Sequence, residues 1–165
     1  EELWAFEETK EAYNRLMAAT DALVKSQFIE MFGELGSNDK GWGLTTLGEC
    51  CEINPRKSND TRLDSEIDVS FVAMPSVTND GKLDASIIRP YSEVKNGFTY
   101  FAENDILFAK ITPCMENGKG AIARGLKNEV GFGSTEFHVI RPVAEKSTPC
   151  SVSYTHLTLP TIYSV

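Results

Sequence analysis

The spacing of hydrophobic residues divides the chain into a helical first part and a strand-rich second part. Residues 3–32 contain neither proline nor glycine, and their apolar residues recur every three or four positions. This period is typical of an amphipathic α-helix, and Gly33 supplies a stop signal directly after it. We therefore predict an amphipathic helix, of the kind that forms coiled coils, over residues 1–33. Its apolar stripe comprises Tyr13, Leu16, Met17, Thr20, Leu23, Val24, Phe28 and Met31.

The predicted helix is too long for a small domain to pack along its whole length. Two interpretations therefore stay open: the helix lies across the core of its own domain, or it forms an arm that pairs with a partner helix in a coiled coil. The acidic residues near its start suit a solvated face and the positive end of the helix dipole. They are Glu1, Glu2, Glu7, Glu8 and Glu11.

In residues 41–142, short runs of β-forming residues are separated by turn signals. The runs "DVSFVAMPSV", "DILFAKI" and "FGSTEFHVIRP" predict strands, and the dipeptides Asp80-Gly81 and Asn117-Gly118 predict tight turns. No strand run alternates with a helical run long enough for a parallel βαβ sheet. We therefore predict an α+β fold, in which the long helix precedes a mixed, mostly antiparallel β-sheet domain with short helices over residues 41–146.

The last part of the chain differs from the rest in composition. After Lys146 the sequence contains no charged residue, and "STPCSVSYTHLTLPTIYSV" is rich in serine and threonine. It does not continue the preceding pattern and is similar to translated adapter sequence at the broken end of a gene. We interpret residues 147–165 as a non-native tail and exclude them from functional inference.

Composition and charge narrow the class of protein. At 165 residues with 41% hydrophobic residues, the chain is long enough for one domain with a core. It has no long apolar run and its first residues are acidic, which predicts a cytoplasmic location without a membrane partner. A net charge of -8 argues at first against a nucleic-acid partner, because phosphates are bound by Lys and Arg.

The distribution of charge changes that conclusion. Residues 1–33 carry seven acidic and three basic residues, which is half of the net charge of -8. Residues 106–128 reverse the balance, so a locally basic segment lies inside an acidic protein. This segment contains Lys110, Lys119, Arg124 and Lys127 against Glu116 alone.

The cysteines and histidines do not form a recognisable metal or catalytic motif. None of the four cysteines belongs to a CxxC pair, and no histidine lies near them in the sequence. We interpret the adjacent Cys50 and Cys51 as reduced thiols at the edge of a strand or helix, one pointing in and one out. His138 and His156 have no nearby nucleophile of recognisable context.

Other short motifs each lack part of what their chemistry needs. "GFGSTE" and "GKGAIARG" resemble phosphate loops without the GxxxxGK[ST] order. "INPRK" lacks the second proline and the aromatic residue of the Asn-Pro-Pro-aromatic motif of methyltransferases that act on amino groups.

One enzymatic alternative stays open. Glu93 and Lys95 have the Glu-x-Lys spacing of metal-dependent nucleases, with Asp68 or Asp84 as a second carboxylate. This spacing is common in charged loops, so it indicates such a nuclease only weakly.

The basic loop itself offers donors for nucleic acid. Its glycines allow the backbone to approach a ligand closely, and its side chains can donate to phosphates or base edges. From the residues alone, it is either a DNA-contacting loop or the solvated hairpin of a protein interaction domain. The donors are Lys110, Thr112, Asn117 and Lys119.

Longer motifs resemble a known family. The run "DILFAKITPCMENGKGAI", followed by "GFGSTEFHVIRP", resembles the target-recognition domain of type I restriction-modification specificity subunits. "LVKSQFIEMFG" resembles the end of that family's long spacer helix, so the resemblance extends from about residue 21 to residue 142. It implies a non-catalytic protein that needs no cofactor and recognises one part of a bipartite site in double-stranded DNA.

The resemblance also implies partners. In that family, two recognition domains are held apart by antiparallel helices on which methyltransferase subunits dock, and the restriction subunit joins the complex indirectly. The enzymatic activities belong to those partner subunits. This chain holds one recognition domain, so we expect a fragment of a two-domain subunit, or a half-subunit that pairs with a second half or with itself through residues 3–32.

The resemblance assigns two loops to the DNA-facing side. It implies that Lys110 and Lys119 hold phosphates, whereas Thr112, Pro113 and Glu136 can equally shape the fold. The residues of the two loops placed on this side are Lys110, Thr112, Asn117, Lys119, Gly133, Ser134 and Thr135.

Base selection is expected in less patterned segments, residues 76–82 and 89–98. The second segment provides three side chains with suitable donors, Arg89, Lys95 and Asn96.

Overall fold

The computed structural model describes residues 2–34, 37–63 and 66–153, with side chains in the first helix from residue 6 onward. The chain divides into two compact units, Glu1–Leu44 and Thr45–Val165. In the first unit, helix α1 covers Glu2–Phe32, which confirms the helix that the apolar period predicted. Gly33 ends it with a φ of +87° and donates its N–H to the carbonyl of Ile29.

The chain after α1 folds back to satisfy carbonyl groups at the end of the helix. The indole Nε1 of Trp42 donates to the carbonyl oxygen of Phe32 at 2.8 Å. Lys40 Nζ donates to the carbonyl oxygen of Glu30 at 3.1 Å. Carbonyl groups in the last turn of a helix have no hydrogen-bond donor within the helix. These two bonds supply donors for them and fix where α1 ends.

The apolar stripe of α1 is exposed to solvent. Four large side chains of the stripe, and Phe6 before it, are between 61% and 69% exposed, so the helix leaves a substantial apolar surface uncovered. They are Phe6, Tyr13, Leu16, Leu23 and Met31. No helix within the described residues combines the length and hydropathy needed to cross a membrane.

The second unit contains eight strands and three short α-helices among its described residues. The helices are α2 (Leu47–Cys50), α3 (Tyr91–Val94) and α4 (Pro149–Ser153). The strands are β1 (Cys51–Ile53), β2 (Asp68–Val72), β3 (Ile88–Pro90), β4 (Thr99–Ala102), β5 (Ile106–Ala109), β6 (Gly120–Ile122), β7 (Val130–Gly133) and β8 (Phe137–Pro142).

These strands form two four-stranded sheets. Sheet A has the order β1-β8-β5-β6 and sheet B the order β3-β2-β7-β4. All pairs are antiparallel except β2 with β7, so the predicted α+β fold with mixed, mostly antiparallel strands is confirmed. Residues 134–136 carry the chain from β7 in sheet B to β8 in sheet A, which divides the predicted β-structure between two sheets.

The main core lies between the two sheets. Phe101 and Val72 of sheet B pack with Leu107, Phe137 and Val139 of sheet A, and Phe101 and Phe137 are fully buried. The outer face of sheet B has its own apolar cluster because strand side chains alternate between faces. It contains Val69, Phe71, Val94, Tyr100, Ala102, Val130 and Phe132.

Both predicted turns are present. Gly81 has a φ of +81°, and Thr78 N–H donates to the carbonyl of Lys82 at 3.0 Å beside the isolated bridge of Val77 with Leu83. Gly118 has a φ of +65° and donates its N–H to the carbonyl of Met115. Both glycines lie in the left-handed region, which costs glycine little.

The adjacent thiols do not point to opposite sides as predicted: Cys51 is buried, and the half-buried Cys50 packs against the same apolar cluster. Helix α4 lies in the segment that the sequence predicted to be a non-native tail. Its Val152 is buried against Cys51 and Ile106. Residues 154–165 of that tail lie outside the described residues.

Candidate nucleic-acid interface

The strand register brings several loops to one end of the second unit. Strands β2 and β7 are parallel, so both finish at this end. Strand β4 begins there, because Thr99 pairs with Gly133. The connections at residues 73–87, 95–98 and 134–136 therefore leave sheet B on the same side.

Sheet A adds two further loops to this end. Ala109 at the finish of β5 pairs with Phe137 at the start of β8, and Lys110 N–H donates to the carbonyl of Glu136 at 2.8 Å. The antiparallel strand β1 runs toward the start of β8 and ends at Ile53, opposite Ile140, so residues 54–59 continue toward this end. We call the five segments 54–59, 73–87, 95–98, 110–119 and 134–136 the loop end.

Charge is unevenly divided between this end and the opposite one. The loop end contains six basic residues, Arg56, Lys57, Lys82, Lys95, Lys110 and Lys119, and four acidic residues, Asp80, Asp84, Glu116 and Glu136. The opposite connections, 103–105, 123–129 and 143–148, reverse the balance. They contain Glu103, Asp105, Glu129 and Glu145 against Arg124, Lys127 and Lys146.

The predicted residues of the first loop lie at the loop end, and one of them joins the two loops. Lys110 Nζ donates to the carbonyl oxygen of Thr135 at 2.7 Å, so Lys110 braces the second loop. Thr112 Oγ1 lies 3.4 Å from the Glu116 carboxylate. Asn117 is exposed and Lys119 is half-buried.

The second loop is shaped by its own hydrogen bonds. Ser134 Oγ accepts from the N–H of Glu136 at 3.2 Å, and Ser134 N–H donates to the carbonyl of Val72. Gly133 is buried, whereas Thr135 is exposed. Ser134 therefore fixes the turn, and Thr135 presents its side chain to solvent.

Arg89 lies on the outer face of sheet B. Its guanidinium carbon is 4.3 Å from the centre of the Phe71 ring, which the edge of Phe98 contacts at a centroid distance of 4.9 Å. A cation at this distance is attracted by the ring face, so the guanidinium is held in place while it stays exposed.

Lys95 and Asn96 line a groove that the first loop does not reach. The groove has a volume of about 430 Å³. Lys57 Nζ donates to the carbonyl oxygen of Lys95, so the two sides of the groove are joined. Its lining residues are Arg56, Lys57, Ser58, Lys95, Asn96, Gly97, Phe98 and Tyr100.

Sequence reasoning missed Arg56 and Lys57 because they follow a motif with a structural role. Asn54 has a φ of +51°, and its Oδ1 accepts from the N–H of Val139 at 3.0 Å. Pro55 is buried. The "INPRK" run therefore turns the chain out of β1 and delivers the two cations to the groove, and their adjacency was the available signal.

A network of charged groups fixes the chain just beyond the groove. Arg62 Nε and Nη2 each donate to a different oxygen of Asp60 at 2.8 Å, and the Tyr100 hydroxyl donates to Asp60 at 2.7 Å. The side chain of Asp60 is 6% exposed. The hydrogen bonds from Arg62, helped by that from Tyr100, hold the pKa of the Asp60 carboxyl well below its usual range.

Replacing Asp60 with asparagine is expected to make the free energy of unfolding depend less on pH in the acidic range. The unfolded pKa is about 3.9 and the folded pKa is lower, so the carboxylate stabilises the fold above that pH. This contribution is lost as the pH falls below about 4. The free energy of unfolding of the wild type should exceed that of Asp60→Asn by about 2 kcal/mol near neutral pH, and this difference should shrink in acid.

Urea unfolding followed by circular dichroism across this pH range measures the difference. Glu66→Gln, which removes an exposed carboxylate, is the matched control and should give a profile parallel to that of wild type. If Asp60→Asn also ran parallel to wild type, the hydrogen-bonded pair would have no differential effect on folding.

The structure places one candidate second carboxylate of the nuclease alternative near α3. Asp68 pairs with Pro90, which directly precedes that helix, and Glu93 is exposed on it. Within the residues that the structure describes, no group of three or more His, Cys, Asp or Glu side chains is placed to hold a metal ion.

Two curated proteins of Escherichia coli are similar to this chain in sequence, although no family model matches it. It is 40% identical over 151 residues to the specificity subunit of the type I restriction enzyme EcoAI. This alignment covers 84% of this chain and 25% of that subunit. It is 46% identical over 109 residues to the EcoEI specificity subunit, covering 65% of this chain and 18% of that one. The chain thus spans a quarter or less of the length of these relatives.

Solved structures share the fold. The HsdS subunit from Thermoanaerobacter tengcongensis matches with a TM-score of 0.58 and 18% identity, over 96% of this chain and 38% of that one. A chain from a study of complex assembly and conformational transition in the type I R-M system matches with a TM-score of 0.59 and 17% identity. That match also covers 96% of this chain and 38% of the other. Sequence similarity and fold together show that the chain belongs to the type I restriction-modification specificity subunits, of whose length it matches one part.

Proposed function

We propose that the chain recognises one part of a bipartite site in double-stranded DNA as a module of a specificity subunit. The observation that carries this proposal is the loop end, where the strand register gathers five loops with more basic than acidic residues. Local positive charge is what a phosphate backbone requires, even when the whole protein is acidic. The module has no catalytic activity of its own, and methyltransferase and restriction subunits supply the chemistry.

The residues of the loop end have separate roles in this proposal. Lys119 contacts a phosphate, and Lys110 does so as well, because an ammonium keeps two donors after its bond to Thr135. Thr112, Asn117 and Thr135 offer further donors to the DNA. Ser134 acts through the shape of its turn.

Of the three residues predicted to select bases, Arg89 takes that role here, whereas Lys95 and Asn96 line the groove. Arg89 is the strongest of these candidates because its guanidinium is held over Phe71 and remains exposed. A guanidinium forms two hydrogen bonds with the major-groove edge of guanine, a contact that discriminates against other bases by about 1 to 3 kcal/mol.

Helix α1 provides the surface for protein partners. Its exposed apolar stripe needs a cover, since contiguous apolar surface of this kind marks sites of protein interaction. A second recognition half, another copy of this chain or a methyltransferase subunit supplies that cover. The acidic residues along the same helix fit a protein partner better than DNA.

A domain exchange tests the proposal. Residues 45–146 replace the matching segment of the EcoAI specificity subunit, and the chimera is expressed with the other subunits of that enzyme. Sequencing of modified bases in the host DNA then reads the recognised motif. We expect one part of the methylated motif to change and the other to stay the same.

The matched control exchanges residues 1–44 at constant length and should leave both parts of the motif unchanged. An assembled chimera with an unchanged motif would contradict the proposal. Where the chimera does not assemble, the chain itself is used to select from a library of random duplexes. Enrichment of one short motif supports recognition, and a failure to enrich any sequence counts against it.

A further inference from the structure

The arginines of the described residues differ in whether they have a hydrogen-bond acceptor. Arg15, Arg62 and Arg141 pair with carboxylates, and Arg124 donates to Cys150 Sγ. Arg89 is placed on an aromatic ring. Among the residues that the structure describes, the guanidinium of Arg56 has neither an acceptor nor a ring partner, although the molecule as a whole has an excess of carboxylates.

Arg56 lies in the groove beside two other cations. Lys57 and Lys95 line the same groove, and none of its described lining residues is an aspartate or glutamate. The bond from Lys57 Nζ to the Lys95 carbonyl holds the Lys57 ammonium against the backbone of Lys95. Three like charges at one place repel one another and destabilise the fold unless an anion binds there.

The remaining lining groups favour a phosphate backbone over an inserted base. Tyr100 is only 6% exposed, and its hydroxyl is engaged by Asp60. Phe98 contacts Phe71 edge-on, so part of its ring is already covered. Ser58 and Asn96 add neutral donors of the kind that contacts phosphate oxygens.

We propose that this groove binds the sugar-phosphate backbone of the DNA, with Arg56, Lys57 and Lys95 each contacting a phosphate. This inference rests on the proposed function and divides the basic residues of the loop end between two contact surfaces, the groove and the first loop. The first loop with Lys110 and Lys119 does not line the groove. The two surfaces together hold the duplex at separate places, and Arg89, beyond Phe71 and Phe98, faces the DNA from the side of the groove.

Binding of the chain to a labelled duplex, measured by fluorescence anisotropy over a salt series, tests the groove. The test variant is Arg56→Gln/Lys57→Gln/Lys95→Gln. The control, Arg124→Gln/Lys127→Gln/Lys146→Gln, removes one arginine and two lysines from exposed positions at the opposite end. Both variants have the same net charge, and thermal unfolding checks that both are folded.

We expect the groove variant to lose affinity at least about tenfold and to show a salt slope shallower by about 2 to 3, since each lost phosphate contact removes about 0.9. The loss should be equal on duplexes of different sequence, because phosphates carry no sequence information. The control should keep nearly the slope of wild type.

Three results would overturn the groove as a backbone site while the proposed function stands. They are wild-type affinity and slope in the groove variant, equal losses in both variants, and a loss confined to certain sequences, which would indicate a base contact instead. If the wild-type chain bound no duplex even at low salt, this result would contradict both the proposed function and the proposed role of the groove.

Discussion

Replacing Gly131 with alanine is expected to lower the free energy of unfolding of the second unit by about 3 kcal/mol. A Cβ at this position would lie 2.1 Å from Cε2 of Phe101 and 2.6 Å from its Cζ. Phe101 is fully buried between the sheets, so its ring has no free space to move into. Urea unfolding followed by circular dichroism measures the loss. Tryptophan fluorescence is unsuitable because Trp4 and Trp42 both belong to the first unit.

The matched control is Gly48→Ala. No atom lies within 4 Å of a Cβ at Gly48, and its backbone is not in the left-handed region, so we expect a change within about 0.5 kcal/mol. Phe101→Leu should relieve the contact, so the double variant with Gly131→Ala should cost less than the two single changes added together. Equal stability of Gly131→Ala and Gly48→Ala would refute this account of Gly131.

The same strand explains a sequence motif that resembled a phosphate loop. A Cβ at Gly133 would lie 2.3 Å from the carbonyl oxygen of Val72, so both glycines of "GFGS" are required by close packing of β7. This packing fixes the strand from which Ser134 and Thr135 leave. The glycines thus position the second loop of the loop end.

Local patterns predicted the parts of the fold that local interactions determine. The period of α1, the alternation in β8 and the turns at Gly81 and Gly118 could all be read from neighbouring residues. The division into two sheets could not, because it depends on pairs such as Ser70 with Gly131 that lie far apart in sequence. Strand β3 was missed because its residues are all exposed and give no alternation.

The candidate site shows the same limit. Lys110 and Lys119 could be proposed together from the sequence because they lie in one short basic loop. The groove was missed, since Arg56 and Lys57 meet Lys95 only after the chain has turned at Asn54. The bond from Lys110 to Thr135 likewise joins two loops that the sequence separates, and no motif indicates it.

Replacing Asp105 with alanine should destabilise the second unit by about 3 to 5 kcal/mol. Asp105 is 1% exposed and accepts from Arg141 Nε and Nη2 and from the N–H of Ala102, each at 2.7 Å. Its hydrogen bonds raise the pKa of Arg141 further above its usual range. Alanine leaves a half-buried guanidinium without its counter-charge and a buried N–H without an acceptor. Chemical denaturation measures the effect.

The exposed pair of Asp80 with Lys82 is the control, because its atoms are as close, at 2.6 Å, but both side chains are more than half exposed at 58% and 80%. Asp80→Asn should cost much less than Asp105→Ala, because solvent screens the exposed pair. Asp105 lies at the end opposite the loop end, so the folded fraction of Asp105→Ala should keep the wild-type salt slope for DNA. Equal costs for the two substitutions would show that burial adds nothing to this pair, and a changed slope would show that stability and recognition are coupled across the sheets.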